Sequence, residues 1–488
     1  MKHINDLDIV RPARPLRVVQ FGEGNFLRAF VDYMIDICNE KTDFNGSIAI
    51  VKPISYGSLE RFEAQDCLYT VILRGQENGK VVNTHRIITS VDRAVDGADT
   101  WANLAELAKC PTVRFIVSNT TEAGIVLDEG DTIKGVPATY PGKLTKFLYE
   151  RYLAFAGSAD SGVILLPVEL IENNGGRLKS CVLRLAEVWH LPAGFTAWLN
   201  ENCVFCSTLV DRIVTGYPAA EAEELWETLG YRDELLDVGE PFGLWVIESD
   251  RDIRGELPFA EAGLPVVFTD NQKPYRERKV RILNGAHTSS VLAGWLYGKN
   301  IVRDMMKDPV TGVFVRKAVL DEIAPQVPLD RADADAFASA VFERFENPFI
   351  DHELLAISLN SVSKWKARVL PSLRDHYAKY GTLPRLLTFS FAALLAFYTS
   401  GDLREDGLHA CRADGTPYTI RDDRAVLEFF AEKSGLPAAE FVNAVCGKED
   451  FWGEDLRSCT GFAETVTEYL NALRADVQTA VKGICQDG

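Results

Sequence analysis

The sequence is short of several things, and each shortage removes a class of protein. Basic charge is one: Lys+Arg is 52 against 70 for Asp+Glu, giving a formal net charge of −18 and a pI of about 5.0. A surface of that sign repels phosphate backbones and anionic lipid, so nucleic acid and membrane surfaces are not expected partners. Histidine is scarce, with 7 scattered copies, and the 10 cysteines lack the regular spacing of a secreted disulfide framework. Cys203 and Cys206 form the single C-x-x-C pair, and no second pair or His-x-x-x-His completes a zinc set. They read as structural thiols, and no metal is expected. Long apolar runs are missing as well. Leu386 to Tyr398 is shorter than the ~20 helical residues a bilayer needs and contains Thr388 and Ser390, so it reads as a buried helix. The first residues, Met1 to Asp6, hold neither an apolar core nor a small-residue cleavage site, which makes the cytoplasm the expected location.

The remainder is an ordinary globular composition: 488 residues, 47% hydrophobic and 25% charged. That length supports about two or three domains with full cores. The first half alternates short β-rich runs with helical patterns. Strands are predicted at Leu16–Phe21, Ser47–Lys52, Tyr69–Leu73, Val113–Val117 and Gly162–Val168, with helices at Leu27–Asn39, Thr100–Ala108, Lys143–Phe155 and Arg177–His190. Late strands follow at Leu244–Glu248 and Pro265–Phe268. Beyond about residue 272 helical periodicity takes over, as in Ala334–Phe345, Ala425–Lys433 and Ala463–Val481, while Thr399–Asp423 reads as a polar loop. The expected fold is α/β: a Rossmann-type, mostly parallel sheet domain over residues 1–272, then an all-helical C-terminal domain over 273–488.

Two constellations carry chemistry. In the first, Phe21-Gly22-Glu23-Gly24-Asn25-Phe26-Leu27-Arg28 joins the first strand to the first helix. A dinucleotide's pyrophosphate rests at such a place, on backbone N–H groups of a helix N-terminus. Leu27 occupies the third glycine position, so the motif alone fits either a cofactor turn or a tight structural turn. The second strand ends in Lys52-Pro53, not in the acid that grips a ribose hydroxyl. Lys52 is then either a site for a 2′-phosphate or a solvated strand end. Val117 to Gly124 follows the fourth strand, and its hydroxyls suit either a ligand edge or a helix cap.

In the second, Lys279, Asn284 and His287 fall within roughly 140° of arc on an α-helix. An amine, a carboxamide and an imidazole on one side can hold a carbonyl oxygen and exchange its proton while hydride arrives at carbon. The amine must be pushed towards neutrality for that work, and Arg276, Arg278 and Arg281 are candidate sources of the positive charge. The alternative is an exposed lysine, a capping asparagine and a satisfied histidine.

Together these motifs resemble the long-chain, metal-independent polyol dehydrogenase family typified by mannitol dehydrogenase. Its Lys-x-x-x-x-Asn-x-x-His motif matches Lys279, Asn284 and His287. Its G-x-G-x-F turn matches Gly22, Gly24 and Phe26, and its Val-Asp-Arg-Ile segment matches Val210 to Ile213. Phe21–Asp32, Ser118–Gly124, Cys206–Pro218 and Lys273–Thr288 look most like the family's sugar-acid reductases. The resemblance implies reversible NAD(H)-dependent hydride transfer on a small sugar-acid substrate; the sequence leaves open whether a monomer or a small homo-oligomer performs it. It implies Lys279 as general acid/base, Asn284 polarising the reacting oxygen and His287 hydrogen-bonding the substrate. It further implies NAD contacts from Gly22, Gly24, Asn25, Phe26, Arg28, Thr120, Glu122 and Asp211, and substrate contacts from Glu169, Asn174 and Lys364. Two departures argue against mannitol itself. Glu169 and Leu170 replace the family's Asp-Asn pair, so Asn284 needs another partner, and Ala356 replaces a basic residue used for a polyol hydroxyl. A catalytically silent dinucleotide-binding sensor is the reading from another class.

One window breaks the acidic trend. Lys273, Arg276, Arg278, Lys279 and Arg281 face only Glu277, a local net of +4. The window either steers a carboxylated substrate or is a helix edge paired with acids elsewhere.

Overall fold

Four hydrophobic runs alternate their residues between two buried faces, which is what a sheet covered on both sides requires. The protein is seen here as a computed structural model that describes residues 1–120, 124–399 and 401–486. It divides into two compact units. The first holds residues 1–74 and 82–272. The second holds 273–488 together with the hairpin tip 75–81.

In the first unit, strands β1 (Leu16–Phe21), β2 (Ser47–Lys52), β3 (Val91–Asp96), β4 (Phe115–Ser118), β5 (Ile164–Pro167) and β6 (Val204–Phe205) form one sheet. Its order is β3-β2-β1-β4-β5-β6 and every pairing is parallel. This is the doubly wound order whose direction of winding reverses between β1 and β4. Val19, Phe21, Ala49, Val51, Ile116 and Leu165 face one core, packed by the helices Ala102–Ala108, Tyr140–Ala154 and Asn174–Val188. Val18, Ile48, Ile50, Val117, Ile164 and Leu166 face the other, shared with Trp245 and Ile247 of a three-stranded sheet. Cys203 and Cys206 sit one in each core, and burial pushes both thiols up to about 12.

The second unit is helical. Its centre is the Arg385–Tyr398 helix, buried along nearly its whole length, so Thr388 and Ser390 are core hydroxyls. Two expectations need revising. The stretch read as a polar loop forms a three-stranded antiparallel sheet of Asp402–Arg404, Gly407–Cys411 and Pro417–Ile420, so the C-terminal domain is not all helix. Leu408 and Ile420, paired in register, supply its buried face amid polar neighbours. The helix read over Ala463–Val481 is two helices, Phe462–Ala475 and Val477–Gln486. Asp476 turns extended between them, and its carboxylate accepts from the Gln478 N–H at 2.9 Å as a cap.

Candidate functional site

In the first unit, β1 ends at Phe21 and the chain turns through Gly22 at φ +128°. A Cβ there would stand 3.0 Å from Leu27 Cδ1 and 3.1 Å from the Asn119 carbonyl, so both the dihedral and the space demand glycine. Gly24 is different. Its φ of −67° suits any residue, and a Cβ built on it meets nothing within 4 Å. The open space is a cavity of about 470 Å³ at the carboxyl ends of β1 and β4, lined among others by Gly22, Gly24, Asn119, Thr120 and Gly124. Ligands of doubly wound sheets bind at that switch point. Asn119, Thr120 and Gly124 of the run after β4 therefore stand at the cavity edge. The next helix, Tyr140–Ala154, takes its cap from Thr139 instead, whose Oγ1 accepts from Gly142 N at 3.0 Å. Glu122 lies outside the described residues.

Three residues expected at the cofactor are committed elsewhere. Arg28 is buried: its Nη1 donates to the Leu235 carbonyl at 2.5 Å, its Nη2 lies 3.7 Å from Asp237, and its guanidinium stacks 5.2 Å from the Tyr69 ring. It holds the turn to the body of the unit. Phe26 stacks on Phe30 at 5.0 Å. Asp211 is buried at the end of the strand Ser207–Asp211. The neighbouring Arg212 donates to the Ala29 carbonyl at 2.7 Å, so the Val-Asp-Arg-Ile segment braces the turn from behind. Asn25 is exposed beside Arg28 and lies so close to Gly216 that a Cβ there would stand 2.2 Å from its Nδ2.

Lys52 fits neither of its two readings. Its Nζ is 3.0 Å from the Asp96 carboxylate and donates to the Ile54 carbonyl at 3.0 Å. Asp96 pairs with Lys52 in register on the adjacent strand, so the counter-charge of the amine comes from β3. Glu169 and Asn174 are likewise structural ties. The Glu169 carboxylate, 2% exposed, accepts from Thr120 N at 3.0 Å, Thr120 Oγ1 at 2.9 Å and Ser118 Oγ at 3.2 Å, and burial raises its pKa. The Asn174 amide donates to the carbonyls of Pro167, Glu169 and Thr208 and accepts from the N–H groups of Gly175 and Thr208. The Asn174 amide is filled by these bonds, while Glu169 Oε2 carries only the Ser118 contact.

In the second unit, Lys279–Asn284 is not an α-helix but a π turn, entered from Lys273–Arg278 and leaving into the Gly285–Leu296 helix. Gly285 N–H bonds back to Val280 O, five residues earlier. Such a turn brings residues five apart, here Lys279 and Asn284, nearer to one face than an α-helix does. His287 follows one turn on. Its ring stacks on Phe345 at 4.0 Å, with His352 edge-on at 5.4 Å, and its shielded Nε2 has no hydrogen-bond partner. Burial, then the charges of His352, Arg344, Arg368 and Lys364, drive its pKa well below the ordinary value, so the imidazole is neutral.

The basic window is largely a paired helix edge. Arg278 donates to Asp333 at 2.6 Å, and Arg281 reaches Asp375, with Glu277 at 3.5 Å. The positive field at His287 comes instead from Arg344, Lys364 and Arg368, far along the chain, of which only Lys364 was a candidate.

Known proteins resemble the chain over nearly its whole length. Residues 16–259 match the mannitol dehydrogenase Rossmann domain and 271–474 the mannitol dehydrogenase C-terminal domain. The altronate oxidoreductase of Bacillus subtilis (strain 168) is 44% identical over 479 residues, 97% of this chain and 96% of its own length. That of Pectobacterium atrosepticum is 44% identical over 495 residues, 99% and 100% of the two chains. Among solved structures, Pseudomonas fluorescens mannitol 2-dehydrogenase, a ternary complex with NAD and D-mannitol, shares the fold at TM-score 0.66 and 22% identity, covering 98% of this chain and 96% of that one. A substrate-free D-sorbitol dehydrogenase does so at TM-score 0.80 and 21% identity, covering 96% and 95%. With a near full-length match in sequence and both of the family's domains in order, the chain belongs to the mannitol dehydrogenase family.

Proposed function

We propose that the protein is an NAD-dependent oxidoreductase that interconverts D-tagaturonate and D-altronate without a metal. The observation that carries the reading is the π turn that holds Lys279 and Asn284 and runs directly into His287, a neutral imidazole whose Nε2 is unpartnered. The altronate oxidoreductases that match over nearly their whole length support the choice of substrate.

The first unit's cavity fits a dinucleotide. Gly22 makes the turn, Gly24 leaves the backbone open to phosphate, and a helix starts directly beyond it at Asn25. With Lys52 committed to Asp96, no free amine waits at the end of β2 for a 2′-phosphate, which supports NAD over its phosphorylated form. NAD(H), when bound, supplies the hydride chemistry. In the second unit Lys279 gives a proton to the ketone oxygen as the alcohol forms and takes it back in the reverse direction. The Asn284 amide donates to that oxygen and stabilises the charge developing on it. Neutral His287 hydrogen-bonds a substrate hydroxyl through Nε2. A sensor has no use for a proton donor, and Lys279 therefore weighs against the silent reading.

NADH absorbance with tagaturonate, fructuronate and fructose in parallel tests the assignment. Turnover is expected with tagaturonate foremost. Preference for fructuronate or fructose would reassign the substrate, and no oxidation with any of the three would return the sensor. Gly24 offers a second test. Gly24→Val adds a branched side chain to an unstrained position facing the cavity, so Tm should stay within about 1 °C while NADH affinity falls roughly tenfold or more. Unchanged NADH affinity in that variant would remove the cavity from its role.

A further inference from the structure

The Ser361–Arg368 helix packs on the Lys279–Asn284 turn and on the helix that follows it. Gly285 marks the approach, because a Cβ there would stand 3.1 Å from the Arg368 carbonyl. Lys364 and Arg368 are i,i+4 neighbours and share one face of their helix. Like charges so placed repel each other, and surface helices ordinarily relieve such a pair with an acid. Here, among the described residues, neither forms an ion pair. Lys364 Nζ donates to the Ile357 carbonyl at 3.0 Å. Arg368 makes one long hydrogen bond, 3.4 Å, to Thr288 Oγ1, which itself donates to the Asn284 carbonyl at 2.9 Å.

A guanidinium carries five N–H donors, so most of those on Arg368 are unfilled. It is nonetheless only partly exposed, and burial lowers its pKa with no carboxylate acting against the shift. The acid that acts on Lys364, Asp422, already accepts from Tyr398 OH and from the N–H groups of Val362 and Asp423. The groups that act most on His287 are basic: His352, Arg344, Arg368 and Lys364. Two half-buried cations on the helix packed against the proton-transfer set, neither of them ion-paired among the described residues, form a seat for a small anion.

We propose that Arg368, with Lys364 one helical turn before it, binds the carboxylate of the substrate, Arg368 by a two-point contact. The inference rests on the sugar-acid reading above and adds to it the group that recognises the acid. It also explains how a protein of net charge −18 admits an anionic substrate, through two cations that the linear charge pattern does not single out.

The test assays wild type, Arg368→Met and Arg368→Lys with NADH and two ketoses: tagaturonate, and tagatose, which carries a hydroxymethyl group in place of the carboxylate. Wild type should favour tagaturonate strongly. In Arg368→Met the KM for tagaturonate should rise roughly 10–100-fold, the range expected for losing charge-assisted hydrogen bonds. The smaller change should fall on kcat, and the weak tagatose activity should move less than about threefold. Arg368→Lys, which keeps the charge but not the fork, should lie between. Unchanged KM for tagaturonate in Arg368→Met, or equal loss with both ketoses, overturns the carboxylate seat and leaves the sugar-acid reading in place. Wild type inactive with tagaturonate and fructuronate overturns the sugar-acid reading, and the seat falls with it.

Discussion

Replacing Lys279 by alanine is expected to lower kcat by roughly 10²–10⁴-fold near neutral pH, the span that general acid–base groups contribute, while NADH binding persists. The two effects separate because the glycine turn and its cavity belong to the first unit, whereas Lys279 opens the π turn of the second. Asn284 and His287 cannot take over. A carboxamide does not titrate, and His287 is held neutral by burial and by the nearby cations Arg344, Arg368 and Lys364, so it has no second proton to give at pH 7. Lys279→Arg should fail to rescue turnover even though it keeps the charge, because a guanidinium does not release its proton in this range. That variant separates proton transfer from simple electrostatic attraction. If either variant turns over within a few-fold of wild type while NADH titrates normally, Lys279 is not the acid/base.

How far the sequence reaches is clearest at the two motifs. Leu16–Phe21, Ser47–Lys52 and Leu244–Glu248 are strands with the expected bounds, since β-branched runs between turn signals have few other ways to bury both faces. The helices that follow the two motifs are another matter. Arg28–Asp32, just past the glycine turn, and Lys279–Asn284 are both π turns. A π turn is one extra residue in a helix and has no composition of its own, so counting 100° per residue passes over it. Side-chain partners were harder still. Whether Arg28 faces a ligand or the core depends on Asp237 and Leu235, more than 200 positions away, and nothing local to Gly22–Arg28 reports them. The same holds for Asp96 beside Lys52 and for Asp333 and Asp375, which neutralise the basic window. Local charge counting saw that window and missed Arg368, which packing brings to the site.

The inward turn of Arg28 has a measurable consequence. Arg28→Met should destabilise the fold by about 3–5 kcal/mol at pH 8, the cost of leaving buried charge without its partner. Three carboxyls crowd its surroundings. Asp237 has neither oxygen hydrogen-bonded, and Asp32 accepts from Tyr69 OH at 2.6 Å and from Gln20 at 3.4 Å. Asp233 is tied to the Gln65 amide and to the N–H groups of Thr70 and Leu235. Burial pushes Asp32 and Asp237 from 3.8 up to about 7, and Arg28 acts against both shifts. Folded-state values raised above the unfolded ones mean that these groups favour the folded state at low pH and that this contribution is lost as pH rises through about 7. Without Arg28 the carboxyls climb further and the loss at alkaline pH deepens. At pH 5.5 they are largely protonated in either protein and need no counter-charge, so the deficit should shrink to about 1–2 kcal/mol. Denaturation midpoints at the two pH values read the difference directly, and Arg28→Lys, which keeps a charge among the acids, should recover part of it. A deficit independent of pH would show that the arginine acts by packing on Tyr69 alone. An unchanged midpoint with weakened NADH binding would return Arg28 to the cofactor.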